Sequence, residues 1–297
     1  MGQCSIKPTN SRFRAACSHH NDMRHPIKTL YFLASITMAT AHATQPLAEA
    51  SMDVSSGRPV VTIATSQGAS LKLLVDSGGF GGIALIPAAL SSAAVEFSGR
   101  TVEWQDAQGH RFSSRQFTES DLRIGEKQIG PIGGSELLGS SKELPHDTVG
   151  YLGIDILDKF IVKMDYKSGV LSLYQASGRS AFADVCGTSS FPATLRNGVV
   201  EVRARTDDSE LLLQLDTGSS LTFIHPDVAE AKAPADNARQ QTVRRFSHFA
   251  LGGHDFGRQV LDLKLFNAPA VDGVLGSDFF VGRTLCLDLA HQQASLD

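Results

Sequence analysis

Short apolar runs that alternate with polar positions recur along the chain from residue 59 onward. The first two, Val60–Ala64 and Leu71–Val75, are separated by a turn at residues 66–69 and predict a β-hairpin. Similar runs predict strands at 101–104, 111–118, 121–124 and 170–174. Helical patterns are confined to 87–94, 154–159 and 226–232. The sequence therefore predicts an all-β protein with a few short helices, preceded by a small, polar leader at 44–57.

The second half of the chain repeats the pattern of the first. A second predicted hairpin, 198–202 with 211–215, ends as the first one does, in Asp, a hydroxyl residue and Gly. Each hairpin is followed at a distance by an apolar-apolar-Gly segment, which ends at Gly153 in the first half and at Gly276 in the second. This internal repetition predicts two related lobes, at 58–176 and 190–297, with the boundary between them near 177–190.

The two triplets are Asp76-Ser77-Gly78 and Asp216-Thr217-Gly218. A single triplet of this kind is typical of a turn, because Asp and Ser or Thr hydrogen-bond the local backbone and Gly accepts positive φ. Two copies in matched surroundings indicate more than turns. Equivalent carboxylates on equivalent lobes are expected to meet at a pseudo-twofold axis, where one raises the proton affinity of the other.

The paired motifs resemble those of the aspartic peptidase clan in its two-lobed, single-chain bacterial form, and each half resembles a retropepsin-type lobe. The resemblance covers about Pro59 to the C-terminus and implies a bilobal acid-protease fold with the site in the cleft between the lobes. It implies that Asp76 and Asp216 are catalytic and activate a water, with no metal and no cofactor. It also implies that the hydroxyls of Ser77 and Thr217 brace the two loops against each other. Gly78 and Gly218 then permit a tight turn and close approach of the partner lobe.

The first lobe is longer than the second between its triplet and its apolar-apolar-Gly segment. The additional residues include 101–116, a predicted hairpin that lies where the family carries a flap over the cleft. Trp104 at its base and Gly109 at its tip are predicted to contact substrate; the alternative for Trp104 is a packing aromatic residue. Ser219 is also assigned to substrate binding. Its counterpart, Gly79, departs from the Ser or Ala of many family members, which removes a hydroxyl near the carboxylate and loosens the loop.

Composition and charge exclude several other classes of protein. The chain has 297 residues, of which 42% are hydrophobic, enough for one large domain or two of moderate size. The net charge of −4, with scattered Lys and Arg, does not indicate nucleic-acid binding. Neither His248 nor His254 has the spacing of a known metal motif, so we expect solvated histidines there and no metal site.

The N-terminal region 1–43 is predicted to be a signal peptide. Basic residues precede the apolar run 30–39, which ends in Ala41-His42-Ala43, and Met23 is a possible true start. The alternative is a membrane anchor, but the run is shorter than the roughly 20 residues that span a bilayer. We therefore expect an exported protein, periplasmic or secreted, without stable membrane insertion.

Removal of this region leaves two cysteines, Cys186 and Cys286. In an exported protein they are expected to form a disulfide, the alternative being two buried thiols.

The predicted function is that of an aspartic endopeptidase, whose partner is a peptide or protein substrate. Two alternatives remain open: a noncatalytic peptide-binding module with the same fold, and a protease restricted to one envelope protein. Because both half-sites lie on one chain, we expect a monomer.

Overall fold

The computed structural model describes residues 45–297, except 66, 94, 106–108, 120–121, 140–143, 208, 231–241 and 267–269. The predicted signal region 1–43, with Met23, lies outside the described residues, as does part of the predicted flap tip.

The first lobe consists of short strands with two helical turns. Its strands are β1 (Ala48–Asp53), β2 (Val60–Ala64), β3 (Ser70–Val75), β4 (Ile83–Leu85), β5 (Glu96–Gln105), β6 (Arg111–Glu119), β7 (Arg123–Ile124), β8 (Lys127–Gln128), β9 (Ile132–Glu136), β10 (Gly150–Leu152), β11 (Phe160–Asp165) and β12 (Val170–Gln175). Its helices are α1 (Pro87–Leu90) and α2 (Ile154–Leu157).

The second lobe has the same character. Its strands are β13 (Phe191–Arg196), β14 (Val199–Thr206), β15 (Glu210–Leu215), β16 (Phe223–Ile224), β17 (Val243–Phe246), β18 (Phe249–Leu251), β19 (His254–Asp255), β20 (Gln259–Leu263), β21 (Gly273–Leu275), β22 (Thr284–Asp288) and β23 (Gln293–Leu296). Helix α3 (Arg179–Cys186) connects the lobes, and α4 (Pro226–Glu230), α5 (Ser277–Phe280) and a 3₁₀ turn (Leu289–His291) complete the chain.

The same strand arrangement supports the triplet in each lobe. In the first, β3 pairs in parallel with β10, which pairs on its other side with β4 in antiparallel fashion. In the second, β15, β21 and β16 repeat this arrangement. Leu73 in β3 and Leu213 in β15 occupy equivalent positions, and both side chains are fully buried. Each triplet therefore follows a strand that is held between neighbours and cannot shift in register without exposing core residues.

A six-stranded antiparallel sheet joins the two lobes, in the order β1, β12, β11, β22, β23, β13. At its centre, Met164 of β11 lies opposite Leu285 of β22, and both side chains are fully buried. The outer strands β1 and β13 continue into the sheets of their own lobes through β2 and β14. The described residues, which begin at 45, thus form a single compact unit.

The predicted bilobal all-β fold is confirmed, and so is the first hairpin, β2 with β3. One local prediction is wrong, and a second segment contains a helix that the sequence did not predict. The segment 44–57, predicted as a leader, contains β1, which pairs with β2 and β12. The segment 177–190, predicted as the boundary between lobes, contains α3. Both segments are stabilised by partners distant in sequence, which local patterns do not reveal.

A disulfide joins Cys186, at the end of α3, to Cys286 in β22, with a Cα–Cα distance of 5.9 Å. It lies in a small buried cluster with Ile161, Tyr174 and Phe182. Because the two sulfurs are bonded, the alternative of two buried free thiols is excluded. The disulfide is compatible with an exported protein. No helix in the part of the chain that the structure describes is long and apolar enough to cross a membrane.

Candidate active site

Asp76 and Asp216 begin tight loops at the ends of β3 and β15. The backbone N–H of Asp76 donates to the carbonyl of Leu152 over 2.9 Å, and that of Asp216 donates to the carbonyl of Leu275 over 3.0 Å. The acceptors belong to the apolar-apolar-Gly segments that the sequence singled out. These segments therefore fix the point at which each loop leaves its sheet.

The hydroxyls of Ser77 and Thr217 each form hydrogen bonds with the opposite lobe. The Thr217 Oγ1 accepts the N–H of Ser77 over 3.0 Å and donates to the carbonyl of Val75 over 2.7 Å. In return, the Ser77 Oγ accepts the N–H of Thr217 over 3.0 Å and donates to the carbonyl of Leu215 over 2.9 Å. Both residues are completely buried. These four reciprocal bonds hold the two loops in one relative position.

Gly78 and Gly218 each lie directly against the aspartate of the other lobe. A Cβ on Gly78 would stand 2.4 Å from the Cγ of Asp216, and a Cβ on Gly218 would stand 2.4 Å from the Cγ of Asp76. No side chain larger than hydrogen fits at either position. The structure therefore brings the two predicted carboxylates together, as the pseudo-twofold arrangement requires.

The two carboxyl groups are hydrogen-bonded to each other, and backbone donors surround them. The N–H of Gly78 donates to the Oδ1 of Asp76 over 2.9 Å. The Oδ1 of Asp216 accepts from the N–H of Gly218 over 2.9 Å and from that of Ser219 over 3.0 Å. Such donors stabilise the ionised form, so they oppose the effect of burial.

Burial and the charge of Asp216 raise the pKa of Asp76 well above its usual range. Burial also raises the pKa of Asp216, but the N–H of Ser219, the hydrogen bond from Asp76 and the cation of Arg58 counteract that rise. The pair therefore holds one shared proton over a range of pH and titrates as a unit. A carboxylic acid and a carboxylate side by side are able to act as general acid and general base together.

Ser219 and its counterpart Gly79 differ in a way that the sequence interpretation described wrongly. The Oγ of Ser219 donates to the carbonyl of Leu221 over 2.9 Å, and it is the backbone N–H of Ser219 that bonds Asp216. The N–H of Gly79 also contributes a hydrogen bond that lowers the pKa of Asp76. Replacing Ser by Gly therefore removes no bond to the carboxylate.

Tyr151 explains why residue 79 is Gly. A Cβ on Gly79 would stand 2.7 Å from the Cε2 of Tyr151 and 2.9 Å from the Oδ2 of Asp76. The Tyr151 hydroxyl donates to the carbonyl of Phe80 over 3.3 Å. Burial and the charge of Asp76 raise the pKa of Tyr151, so the phenol is neutral. The loop is filled by an aromatic ring and is not loosened as the sequence suggested.

Three other residues around the site were not identified from sequence. Arg58 donates through Nη1 to the carbonyl of Gly218 in the other lobe, over 3.4 Å. Ser277, at the start of α5, donates to the carbonyl of Thr217 over 2.7 Å and lies 3.4 Å from the hydroxyl of Tyr166. Arg58 lies outside both repeated motifs. The sequence could have indicated Ser277, because this residue directly follows Gly276, which ends the second apolar-apolar-Gly segment.

The predicted flap is an antiparallel hairpin of β5 and β6. Trp104 stacks on Phe112 with ring centroids 4.5 Å apart, and its Nε1 donates to the Oγ of Ser114 over 2.7 Å. Trp104 also lines a cavity in the first lobe. The stacking shows the packing role considered for it, and its contact with substrate stays a prediction. Gly109 accepts a hydrogen bond from the Gln105 side chain over 3.0 Å. Among the described contacts, none links Gly109 to the carboxylates.

The described residues include no group of three or more His, Cys, Asp or Glu side chains placed to hold a metal ion. His248 forms an exposed pair with Asp255, with 3.0 Å between Nδ1 and Oδ2. The hydrogen bond that the His248 ring donates to the Asp255 carboxylate raises the pKa of His248. In this exposed pair, His248 directly precedes β18 and Asp255 belongs to β19.

Comparison with known proteins identifies the fold. No protein-family model and no curated protein matches the chain. An aspartic proteinase from Irpex lacteus matches with a TM-score of 0.52 and 15% identity, over 84% of this chain and 96% of that one. Basic 7S globulin from soybean matches with a TM-score of 0.51 and 11% identity, over 84% of this chain and 94% of that one. The chain therefore has the two-lobed fold of aspartic proteinases.

Proposed function

We propose that this chain, which shares its fold with aspartic proteinases, is an aspartic endopeptidase that hydrolyses peptide bonds with a water activated by Asp76 and Asp216. The observation that carries the proposal is the hydrogen-bonded pair of carboxyls, each contacted by the Gly of the opposite loop. A protein that needed only the fold would not require two desolvated acids in contact, because their mutual repulsion opposes folding.

We propose that one member of the pair is ionised and the other protonated, with the proton on Asp76 when the reaction begins. Asp216, the ionised member, accepts a proton from the water as the water oxygen attacks the scissile carbonyl. Asp76, the protonated member, donates a hydrogen bond to the carbonyl oxygen and stabilises the charge that develops there. When the tetrahedral intermediate collapses, the C–N bond breaks and the proton taken from water passes to the leaving amine. Water is split between the two products, and no redox partner or covalent enzyme intermediate is needed.

The β5–β6 hairpin supports binding of an extended peptide. Hairpins beside a cleft bind peptides by strand-like hydrogen bonds and exclude water when they close. Gly109 and Trp104 remain proposed contacts on this hairpin, and Ser219 remains a proposed contact on the second loop. Because both aspartates belong to one chain, we propose that the monomer is the active form.

The test is digestion of a mixed peptide library by the purified chain between pH 3 and pH 8. Asp76→Asn and Asp216→Asn are each expected to abolish cleavage, whereas the matched control Asp184→Asn, an exposed aspartate in α3, is expected to retain it. Cleavage that persists in either dyad variant would contradict the assignment. Peptide binding without turnover by the unmodified chain would support the peptide-binding module instead.

We propose in addition that the protein is exported after removal of residues 1–43, which the Cys186–Cys286 disulfide supports. N-terminal sequencing of the protein from its native host, after cell fractionation, tests this. A mature N-terminus near Thr44 in an extracytoplasmic fraction is expected. A cytoplasmic protein that begins at Met1 or Met23 would refute it.

A further inference from the structure

A buried series of hydrogen bonds connects Tyr166 of the first lobe to the carboxylate of Asp216 in the second. The Oγ of Ser277 donates to the carbonyl of Thr217 over 2.7 Å. That carbonyl belongs to the same peptide unit as the N–H of Gly218, which donates to the Oδ1 of Asp216 over 2.9 Å. The hydroxyl of Tyr166 lies 3.4 Å from the Oγ of Ser277. Ser277 and Thr217 are completely buried and Tyr166 is 4% exposed, so bulk water does not compete for the bonds of this hydroxyl relay.

The direction of each bond in the hydroxyl relay is fixed. A serine hydroxyl has a single proton. Ser277 donates that proton to Thr217, so its oxygen accepts from Tyr166. Burial raises the pKa of Tyr166, so the phenol is neutral and keeps the proton that it donates. Hydrogen bonds in series polarise one another, and a bond accepted by a carbonyl makes the N–H of the same amide a stronger donor.

The repeat places apolar residues at the corresponding positions of the other half-site. Ile154 occupies the position of Ser277, and the backbone N–H of each donates to the loop that carries the aspartate. The isoleucine side chain has no group that forms a hydrogen bond. Leu289, which follows β22 as Tyr166 follows β11, has none either. The hydroxyl relay is therefore a difference between the two half-sites and not part of their common frame.

We propose that Ser277 and Tyr166 are positioning residues for Asp216, because they hold and polarise the peptide unit that donates to this carboxylate. The polarised donor favours the ionised form of Asp216 over that of Asp76, since a stronger N–H donor stabilises a carboxylate more than a carboxylic acid. The inference rests on the proposed function, because it concerns how the carboxyl pair is prepared for hydrolysis. It supplies a structural reason for a proton on Asp76 when the reaction begins.

Other titratable and charged groups act on the same pair from the first lobe. Asp76 is hydrogen-bonded to Asp216, and the cation of Arg58 lowers the pKa of Asp216. Burial raises the pKa of Tyr151, which lies against Asp76, so this phenol stays neutral. A substitution at Ser277 leaves all of these groups in the chain. A change in the titration of the pair on substitution of Ser277 is therefore assigned to the hydroxyl relay.

The pH dependence of kcat/KM for a cleaved peptide tests the inference. Activity begins, on the acid side, as the pair loses its first proton. Ser277→Ala is expected to move the midpoint of this limb upward by about 0.4 on the pH scale, because the donor to Asp216 is weakened. Tyr166→Phe is expected to move it upward by less, because its contact with Ser277 is longer than a strong hydrogen bond. The double variant is expected to match Ser277→Ala, because Tyr166 acts only through Ser277.

Ser295→Ala is the matched control. Ser295 is 1% exposed, and its Oγ also donates to a backbone carbonyl, that of Cys186, over 3.1 Å. This variant is expected to lower the melting temperature without moving the midpoint. Ser277→Thr keeps the hydroxyl and is expected to keep the wild-type midpoint.

An unmoved midpoint in Ser277→Ala, or an equal movement in Ser295→Ala, overturns the inference and leaves Ser277 a residue of the fold alone. If Ser277→Ala does not fold, Tyr166→Phe decides, because it removes one oxygen and keeps the shape of the ring. No movement in that variant then overturns the inference.

Carbon-13 NMR of the aspartate carboxyl carbons separates this inference from the proposed hydrolysis. Spectra of Asp76→Asn and Asp216→Asn assign the two signals. A midpoint that rises in Ser277→Ala, in a chain that cleaves no peptide, supports the hydroxyl relay and rejects the hydrolysis. Cleavage by the unmodified chain, with equal midpoints in wild type and Ser277→Ala, supports the hydrolysis and overturns the inference.

Discussion

At the scale of single residues, the two half-sites are equivalent in their carboxylates and different directly beside them. Gly79 and Tyr151 of the first lobe correspond to Ser219 and Val274 of the second, since Tyr151 pairs with Leu74 where Val274 pairs with Gln214. In the first lobe the smaller loop residue, Gly, is combined with the larger side chain, Tyr. In the second lobe the larger loop residue, Ser, is combined with the smaller side chain, Val. The volume lost at one position is therefore gained at the other.

The compensation predicts how substitutions at Gly79 behave. Gly79→Ser places a Cβ within 3 Å of both Tyr151 and Asp76, so the carboxylate must move. We expect kcat/KM to fall about a hundredfold, as for a misplaced catalytic group. The double variant Gly79→Ser with Tyr151→Val reproduces the combination of the second lobe and should recover at least about tenfold. Melting temperatures of the four proteins should show the same rescue, and purely additive effects would contradict the packing argument.

The raised pKa of Asp76 predicts a pH-dependent effect on stability. The folded chain retains a proton on this carboxyl at pH values where the unfolded chain, with the ordinary value of 3.8, has lost it. Stability therefore falls as pH rises through that window. Asp76→Asn has no charge to bury, so it should melt at a higher temperature than wild type at pH 7. The difference should shrink as the pH falls and vanish below about 3.8.

Scanning calorimetry from pH 3 to pH 7 measures this effect, with Asp184→Asn as the exposed control that should show no such trend. A lower melting temperature for Asp76→Asn at pH 7 would mean that the carboxylate is stabilised in place and that the pair does not share a proton.

At the scale of elements, the sequence predicted those parts whose stability is local. The β2–β3 hairpin has its apolar alternation and its turn within one short segment, and the triplets follow it directly. β1 escaped prediction because Ala48–Asp53 is poor in strand-forming residues and becomes a strand by pairing with β12, more than a hundred residues later. β1 of the first lobe corresponds to β13 of the second, since each pairs with the last strand of its own lobe. A comparison of the two halves upstream of their hairpins would therefore have indicated β1.

The candidate site likewise contains residues that the sequence predicted and residues that depend on contacts distant in sequence. The repeated motifs were sufficient to find the aspartates, the hydroxyls and the glycines. Tyr151 was visible only as one apolar residue of a supporting segment, because its contact with Gly79 joins residues 72 positions apart. Arg58 precedes the first hairpin and reaches the other lobe, a contact that depends on the assembled fold.

Helix α3 is the element whose stability depends most clearly on a covalent link. It is eight residues long, too short to persist alone, and its last residue forms the disulfide across 100 residues of sequence. Replacing both Cys186 and Cys286 by Ala should lower the free energy of unfolding by about 2–5 kcal/mol. Amide hydrogen exchange in α3 should rise by more than exchange in β22, which is paired on both sides.

Urea denaturation of wild type with and without a reducing agent provides the control, since the reduced wild-type chain should behave as the double variant does. Equal midpoints for oxidised, reduced and substituted chains would show that packing of Phe182 alone holds the helix.

At the scale of the whole molecule, two of the connections between the lobes among the described residues have different roles. One is the six-stranded sheet, in which β11 and β22 meet through buried side chains. The other is the set of reciprocal hydrogen bonds between the loops that carry Asp76 and Asp216. The sheet sets the distance between lobes, and the loop bonds set the geometry of the carboxyls. Loss of the loop bonds should therefore affect the site more than it affects the fold.

Thr217→Ala tests this division. It leaves the N–H of Ser77 and the carbonyl of Val75 buried without their partner, at roughly 1–3 kcal/mol for each group. We expect stability to fall by about 2–6 kcal/mol while the chain still unfolds in one transition, because the shared sheet is intact. Thr217→Ser keeps the hydroxyl, as Ser77 already does in the first lobe, and should retain both stability and cleavage. If Thr217→Ala instead unfolds in two steps, the loop bonds and not the sheet couple the lobes; if it retains full cleavage, the carboxyl pair is positioned by the supporting strands β10 and β21 alone.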